Sequence, residues 1–178
     1  MSRLSRAPFH LESLLAAVWE RSTGLGSHVH GDAHWRTVGR NGLWIADSLA
    51  GVDRIVVFLF SVLHDSMREN DYIDPQHGPR ASNFARALQA EGLLELAPDQ
   101  LELLTFACDE HTNGFVSTDP TVAACWDADR LDLPRVGATL RPELLSTTVA
   151  RESRPPEEPP PTWAELYTRA GLRESAPT

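Results

Sequence analysis

The chain contains no lysine; all sixteen basic residues are arginine. That absence excludes a Schiff-base lysine and the lysine of a phosphate-binding loop, so any phosphate must be held by arginine, backbone N–H groups or a cation. Cysteine is nearly absent too. Cys108 and Cys125 lie in apolar helical patterns without C-x-x-C spacing, which reads as reduced core residues and a cytoplasmic setting. No basic run or stripe occurs, and a net charge of -9 argues against a nucleic-acid scaffold that works by neutralising phosphates. Nothing approaches the roughly 20 apolar residues of a membrane span. The apolar stretch Leu14 to Val18 is flanked by Glu12 and Glu20 and followed by no convincing small-residue cleavage site, so no signal peptide is expected. No internal repeat is present.

What remains is ordinary globular composition, 42% hydrophobic and 23% charged over 178 residues, enough for one good core. The chain is organised around one apolar run, Ile55-Val56-Val57-Phe58-Leu59-Phe60-Ser61-Val62-Leu63, that ends in His64-Asp65. A run hydrophobic on every side reads as a buried central helix, and it carries an imidazole and a carboxylate into the interior. Both groups are costly to bury unless satisfied, and a cation satisfies a neutral imidazole and an ionised carboxylate together.

Helical periodicity predicts further helices on either side. The first covers His10 to Ser22, with Leu11, Leu14, Leu15, Val18 and Trp19 as its stripe. A second starts at Asp32 as N-cap and runs to about Ala50, with His34, Val38, Asn41, Ile45 and Leu49 on one face. After the central helix, Ser66 to Gln76 lacks periodicity and reads as a loop. A fourth helix spans His77 to Ala90, its inward face being His77, Ala81, Phe84, Ala85 and Leu88. A fifth starts at Pro98-Asp99 and aligns Leu104, Ala107, Cys108 and His111, and a sixth, capped by Asp119-Pro120, aligns Val122, Trp126, Asp129 and Leu133. A short helix is expected within Leu140 to Arg151. The expectation is therefore an all-α, single-domain bundle over residues 1–152, with 153–178 as a proline-rich tail ending in a short helix around Trp163 to Ala170.

Read one at a time, His34, His64, Asp65, His77, His111 and Asp129 each have an ordinary explanation: a cap, a hydrogen-bonded core histidine, a buried ion pair. Read together they are metal-type ligands on otherwise apolar helical faces. The ordered set His34-Trp35-Arg36-Thr37-Val38, Leu63-His64-Asp65, His77-Gly78, Glu110-His111 and Asp127-Ala128-Asp129-Arg130-Leu131 resembles the HD superfamily of metal-dependent phosphohydrolases over about residues 28 to 137. The resemblance implies an HD-type bundle in which His34, His64, Asp65 and Asp129 hold one cation. His77 and His111 are the letters that members with a second cation carry, with Asp65 shared. It implies hydrolysis of a small phosphorylated substrate by metal-activated water, with no protein nucleophile. Nitrogen and oxygen donors suit manganese, iron, cobalt, nickel or zinc better than magnesium.

Other roles stay open at this stage. Asp65, Arg68 and Glu69 are the catalytic candidates, with Glu69, Asn70 and Asp71 all eligible as general acid. Arg68 and Arg80 could clamp a phosphate, and His30 could line the mouth. A di-iron oxygenase acting on a small organic substrate uses the same six letters, and a purely structural metal in a binding module is the third reading. Nothing in the sequence requires a partner protein, and it leaves the oligomeric state open.

Overall fold

The computed structural model describes residues 7–173, and these form eight α-helices and no strand. In chain order they are α1 (Leu11–Arg21), α2 (Asp32–Ser48), α3 (Arg54–Leu63), α4 (His77–Ala90), α5 (Pro98–Glu110), α6 (Pro120–Arg130), α7 (Thr148–Glu152) and α8 (Trp163–Arg169).

The central element is α3. Every residue from Val56 to Leu63 is buried, so the helix has no solvent face and must be enclosed; α2, α4, α5 and α6 enclose it. Each large apolar side chain removed from water there contributes about 1.5–3 kcal/mol. Its start is fixed by Asp53, whose carboxylate accepts from the N–H groups of Ile55 and Val56. At its end the backbone continues into turns, with the N–H of Ser66 on the Leu63 carbonyl and that of Arg68 on the Asp65 carbonyl. His64 and Asp65 thus project from the end of a rigid rod.

Two glycines let the neighbouring helices come close. A Cβ on Gly42 of α2 would stand 2.6 Å from Val57 Cγ1 of α3. One on Gly78 would stand 2.6 Å from the Cys108 carbonyl oxygen and 2.8 Å from that of Asp109. The second contact is with backbone, which cannot swing aside, and it presses the start of α4 against the end of α5. Gly78→Ala is therefore expected to lower stability by roughly 1–3 kcal/mol, as overpacking does. Because it forces His77 away from His111, it should also weaken cation binding. Chemical denaturation and calorimetric titration of the variant check both.

Several local expectations change. Gly31, not Asp32, is the N-cap of α2. Asp32 is instead spent on tertiary contacts, accepting from Trp163 Nε1 at 2.8 Å and from Arg36. Trp19 lies off the buried stripe of α1, 46% exposed. Between Leu140 and Arg151 there is no continuous helix: a 3-10 turn at Pro142–Leu144 is followed by α7, and another 3-10 turn covers Leu133–Val136. The break has a tertiary cause. The Asp127 carboxylate accepts from the N–H of Ser146 and of Thr147, both at 2.7 Å, and pins the returning chain in an extended turn. The proline-rich segment runs along α2, where Arg36 donates to the Pro160 and Pro161 carbonyls and Arg40 to that of Glu158. Beyond it α8 joins the core through Trp163, Leu166 and Tyr167.

Candidate metal centre

Five helix ends supply the centre. His34 sits in the first turn of α2, His64-Asp65 follow α3, His77 opens α4, His111 caps α5, and Asp129 is the penultimate residue of α6. These are the places where the inward stripes of separate helices run out at the same end of the bundle.

The imidazoles are held by their Nδ1 atoms. His64 Nδ1 lies 3.1 Å from the Phe60 carbonyl, His111 Nδ1 2.7 Å from that of Cys108, and His77 Nδ1 bonds the Asp74 carbonyl. A carbonyl only accepts, so each of these Nδ1 atoms carries the hydrogen, and in the neutral imidazole Nε2 is left as a lone pair. His34 Nδ1 is held by the Asp132 carboxylate at 2.7 Å, with the same consequence. The four free Nε2 atoms then face one another in pairs: His34 to His64 at 3.2 Å, and His77 to His111 at 2.9 Å.

Asp65 lies between the pairs. Its Oδ2 is 3.6 Å from His34 Nε2 and 3.8 Å from His64 Nε2, while its Oδ1 is 3.1 Å from His77 Nε2 and 3.7 Å from His111 Nε2. Asp129 Oδ1 joins the first pair at 3.3 Å from His34 and 3.8 Å from His64. All six residues named from the sequence as ligands are thus brought together. They form two adjoining donor groups, His34, His64 and Asp129, and Asp65, His77 and His111, and a third group that could hold an ion, His30, His34 and Asp65, overlaps both.

Electrostatics follow from burial among two carboxylates. Burial holds the His64 imidazole neutral, its pKa pushed down to about 3. Burial also works against the charged forms of His34 and His111, but the hydrogen bonds to Asp129 and Asp132 in one case and to Asp65 in the other outweigh it and raise both. Asp65 and Asp129 are held well below the usual carboxylate range: burial opposes this, and the surrounding imidazoles overcome it. The cluster thus attracts positive charge.

The centre opens onto a cavity of about 340 Å³. Its polar floor is formed by His30, Asp65, Arg68, His77, His111 and Asp129, and its far wall is apolar, made by Leu133, Val136, Leu140 and Leu144. His30 belongs to the site, its Nδ1 3.0 Å from Asp65 Oδ2. Arg68 also belongs, with Nη1 3.0 Å from His77 Nε2 and 3.4 Å from Asp65 Oδ1.

Glu69 and Arg80 do not line this cavity, which corrects their sequence-based roles. Arg80 turns back to brace the loop, donating to the Met67 carbonyl at 2.9 Å and to the Asp74 carboxylate. The Glu69 side chain is 64% exposed and pairs at 3.7 Å with Arg80. Three arginines that sequence reasoning passed over, Arg130, Arg135 and Arg141, do line the cavity. Sequence reasoning also passed over the group behind His34: Asp132 holds its Nδ1, and Arg135 sits 3.3 Å from that carboxylate. The only sequence signal for them is that they closely follow Asp129.

No family model, curated protein or solved structure matches the chain.

The donor set fits a divalent cation. Two Nε2 atoms 2.9–3.2 Å apart need a proton or a cation between them, and a divalent cation takes the place of the proton when it binds. Ligand atoms about 2.1 Å from one ion and at right angles to each other stand about 3.0 Å apart, so both pairs have the spacing of neighbouring ligands. No helix among the described residues is long and apolar enough to cross a membrane.

Proposed function

We propose that this protein is a metal-dependent phosphohydrolase of the HD type, acting on a small phosphate ester or nucleotide. One observation carries the reading: a buried carboxylate, Asp65, divides its two oxygens between two pairs of imidazoles whose Nε2 lone pairs face each other at the floor of a cavity lined by arginines. His34, His64, Asp129 and Asp65 Oδ2 would hold one cation; Asp65 Oδ1, His77 and His111 would hold another. When bound, a divalent cation polarises a phosphoryl oxygen and lowers the pKa of its water from 15.7 to about 7.

The chain's own groups do the rest. Asp132 and the three backbone carbonyls keep every ligand imidazole in the tautomer that presents Nε2. His30 steadies Asp65 from the cavity side. Arg68 supplies positive charge for the substrate's phosphate, and Leu133, Val136, Leu140 and Leu144 receive its apolar part while keeping water away. A phosphate-release screen over nucleotides and simple esters, on protein loaded in turn with manganese, iron, cobalt, nickel, zinc and magnesium, tests the proposal. Release of phosphate in at least one metal state supports it, and no release from any ester with a loaded centre refutes it.

Cation binding is expected to weaken on acidification. His34 and His111 have raised pKa values, so their protonated forms persist to higher pH and must be given up for coordination. For each proton displaced, affinity should fall toward a limit of about tenfold per pH unit once the pH is below those raised pKa values. Calorimetric titration between about pH 8 and 6, in buffers of different ionisation enthalpy, counts those protons.

A second reading is favoured by the four imidazoles together with the apolar half of the cavity wall: a di-iron oxygenase taking a small organic substrate. Iron assay and EPR of aerobically purified protein separate the two, since a mixed-valent iron pair supports the oxygenase.

A further inference from the structure

Arg68 brings a positive charge up against the second donor group. Its Nη1 is 3.0 Å from His77 Nε2, 3.1 Å from His77 Nδ1 and 3.4 Å from Asp65 Oδ1, so the guanidinium lies against the imidazole ring, within reach of two of the three donor atoms of that group. Its Nη2 is anchored 2.9 Å from the Tyr72 carbonyl. Its Nε is buried with no hydrogen-bond partner, and the side chain is only 10% exposed. The guanidinium is therefore packed against the donors, not waving in the cavity mouth. Among the described residues the group formed by His34, His64 and Asp129 has no arginine packed on it in this way; its titratable neighbours are Asp65, Asp132, His30 and His111.

Charge balance points the same way. Asp65 and Asp129 are the carboxylates whose oxygens lie among the Nε2 atoms, and one divalent cation neutralises both. Asp132, behind His34, is already engaged by Arg135. A second divalent cation would add uncompensated positive charge beside a guanidinium in a poorly solvated site, where like charges repel strongly. An anion in the cavity removes that obstacle. It offers Arg68 another partner, drawing the guanidinium away from His77, and it supplies the missing negative charge.

We infer that Arg68 makes occupancy of the second cation site conditional on an anionic ligand: the free protein holds one cation tightly, the guanidinium charge packed on His77 opposes the other, and the second cation enters together with a phosphate-like anion. The inference rests on the metallohydrolase reading and deepens it, because it makes the substrate itself the group that completes the dinuclear centre.

The test is titration of manganese(II) into chelator-stripped full-length protein, followed by calorimetry and by metal content after desalting, with and without inorganic phosphate. Wild type is expected to bind one tight equivalent alone and two in phosphate. Arg68→Gln should bind two without phosphate, its second equivalent at least tenfold tighter than in wild type, while Arg68→Lys, which keeps the charge, should stay at one. Circular dichroism and melting of each variant confirm that the fold is retained; should Arg68→Gln not fold, the phosphate arm on wild type and the Arg68→Lys count still decide. Two tight equivalents in wild type without phosphate, or a single one in wild type with phosphate or in folded Arg68→Gln, would overturn the inference and leave the metallohydrolase intact. No binding at all would overturn both.

Discussion

Asp65→Ala is expected to abolish cation retention and turnover together. No other described residue offers one oxygen to each imidazole pair, and its removal leaves His34, His64, His77 and His111 with only Asp129 to draw a cation in. Loss of a group that merely supports a ligand typically costs 10–100-fold in affinity; loss of the shared ligand should cost more than about a hundredfold. Turnover should fall by more than roughly a thousandfold, because a water whose pKa returns from about 7 toward 15.7 is almost never deprotonated near neutral pH. Asp65→Asn keeps the shape and removes the charge, so it separates coordination from packing. Metal content after desalting and steady-state kinetics read both variants. His64→Ala should behave like Asp65→Ala, and full activity in either would end the account.

Stripping the cation is expected to cost stability as well as activity. Four imidazoles and two carboxylates are buried or nearly so at the end of the bundle, and without a cation only protons on the imidazoles balance the two carboxylates. A ligand bound only by the folded chain, at a free concentration of 1,000 times its dissociation constant, stabilises by about 4.1 kcal/mol. For a chain of this size each kcal/mol moves the melting temperature by about 2–4 °C, so the melting point should drop by roughly 8–16 °C on chelation and recover when metal is returned. His64→Ala should melt at the same temperature with and without chelator. A wild-type melting curve indifferent to chelator would mean that the cluster holds no cation.

Much of the frame was legible because it rests on local rules. The burial of α3 follows from apolar residues on all its sides, the limits of α4 at His77 and Ala90 match its periodicity, and Asp119-Pro120 caps α6 as an aspartate-proline pair should. The six donor residues were legible for a related reason. A polar side chain that interrupts an apolar stripe must point where the stripe points, and stripes from a common core end near one another.

What was not legible depends on the path of irregular chain. Arg135 and Arg141 reach the cavity because Asp127 pins Ser146 and Thr147 and so folds the segment after α6 back over the site, whereas Arg130 lines it from the last position of α6. No periodicity encodes such a return. Arg80 and Glu69 show the opposite failure. Both are close in sequence to ligand residues, yet Asp74 and the Met67 carbonyl capture Arg80, and Glu69 follows it outward. Asp127 and Asp129 show how narrow the margin is: two residues apart on one helix, they face nearly opposite directions, so one holds the chain and the other faces the imidazoles.

The most direct test is an anomalous-scattering map from a crystal of the protein loaded with manganese. A peak within coordination distance of His34, His64, Asp65 and Asp129 is the predicted result. A loaded crystal whose only peaks lie elsewhere, with these four side chains ligating nothing, would contradict it.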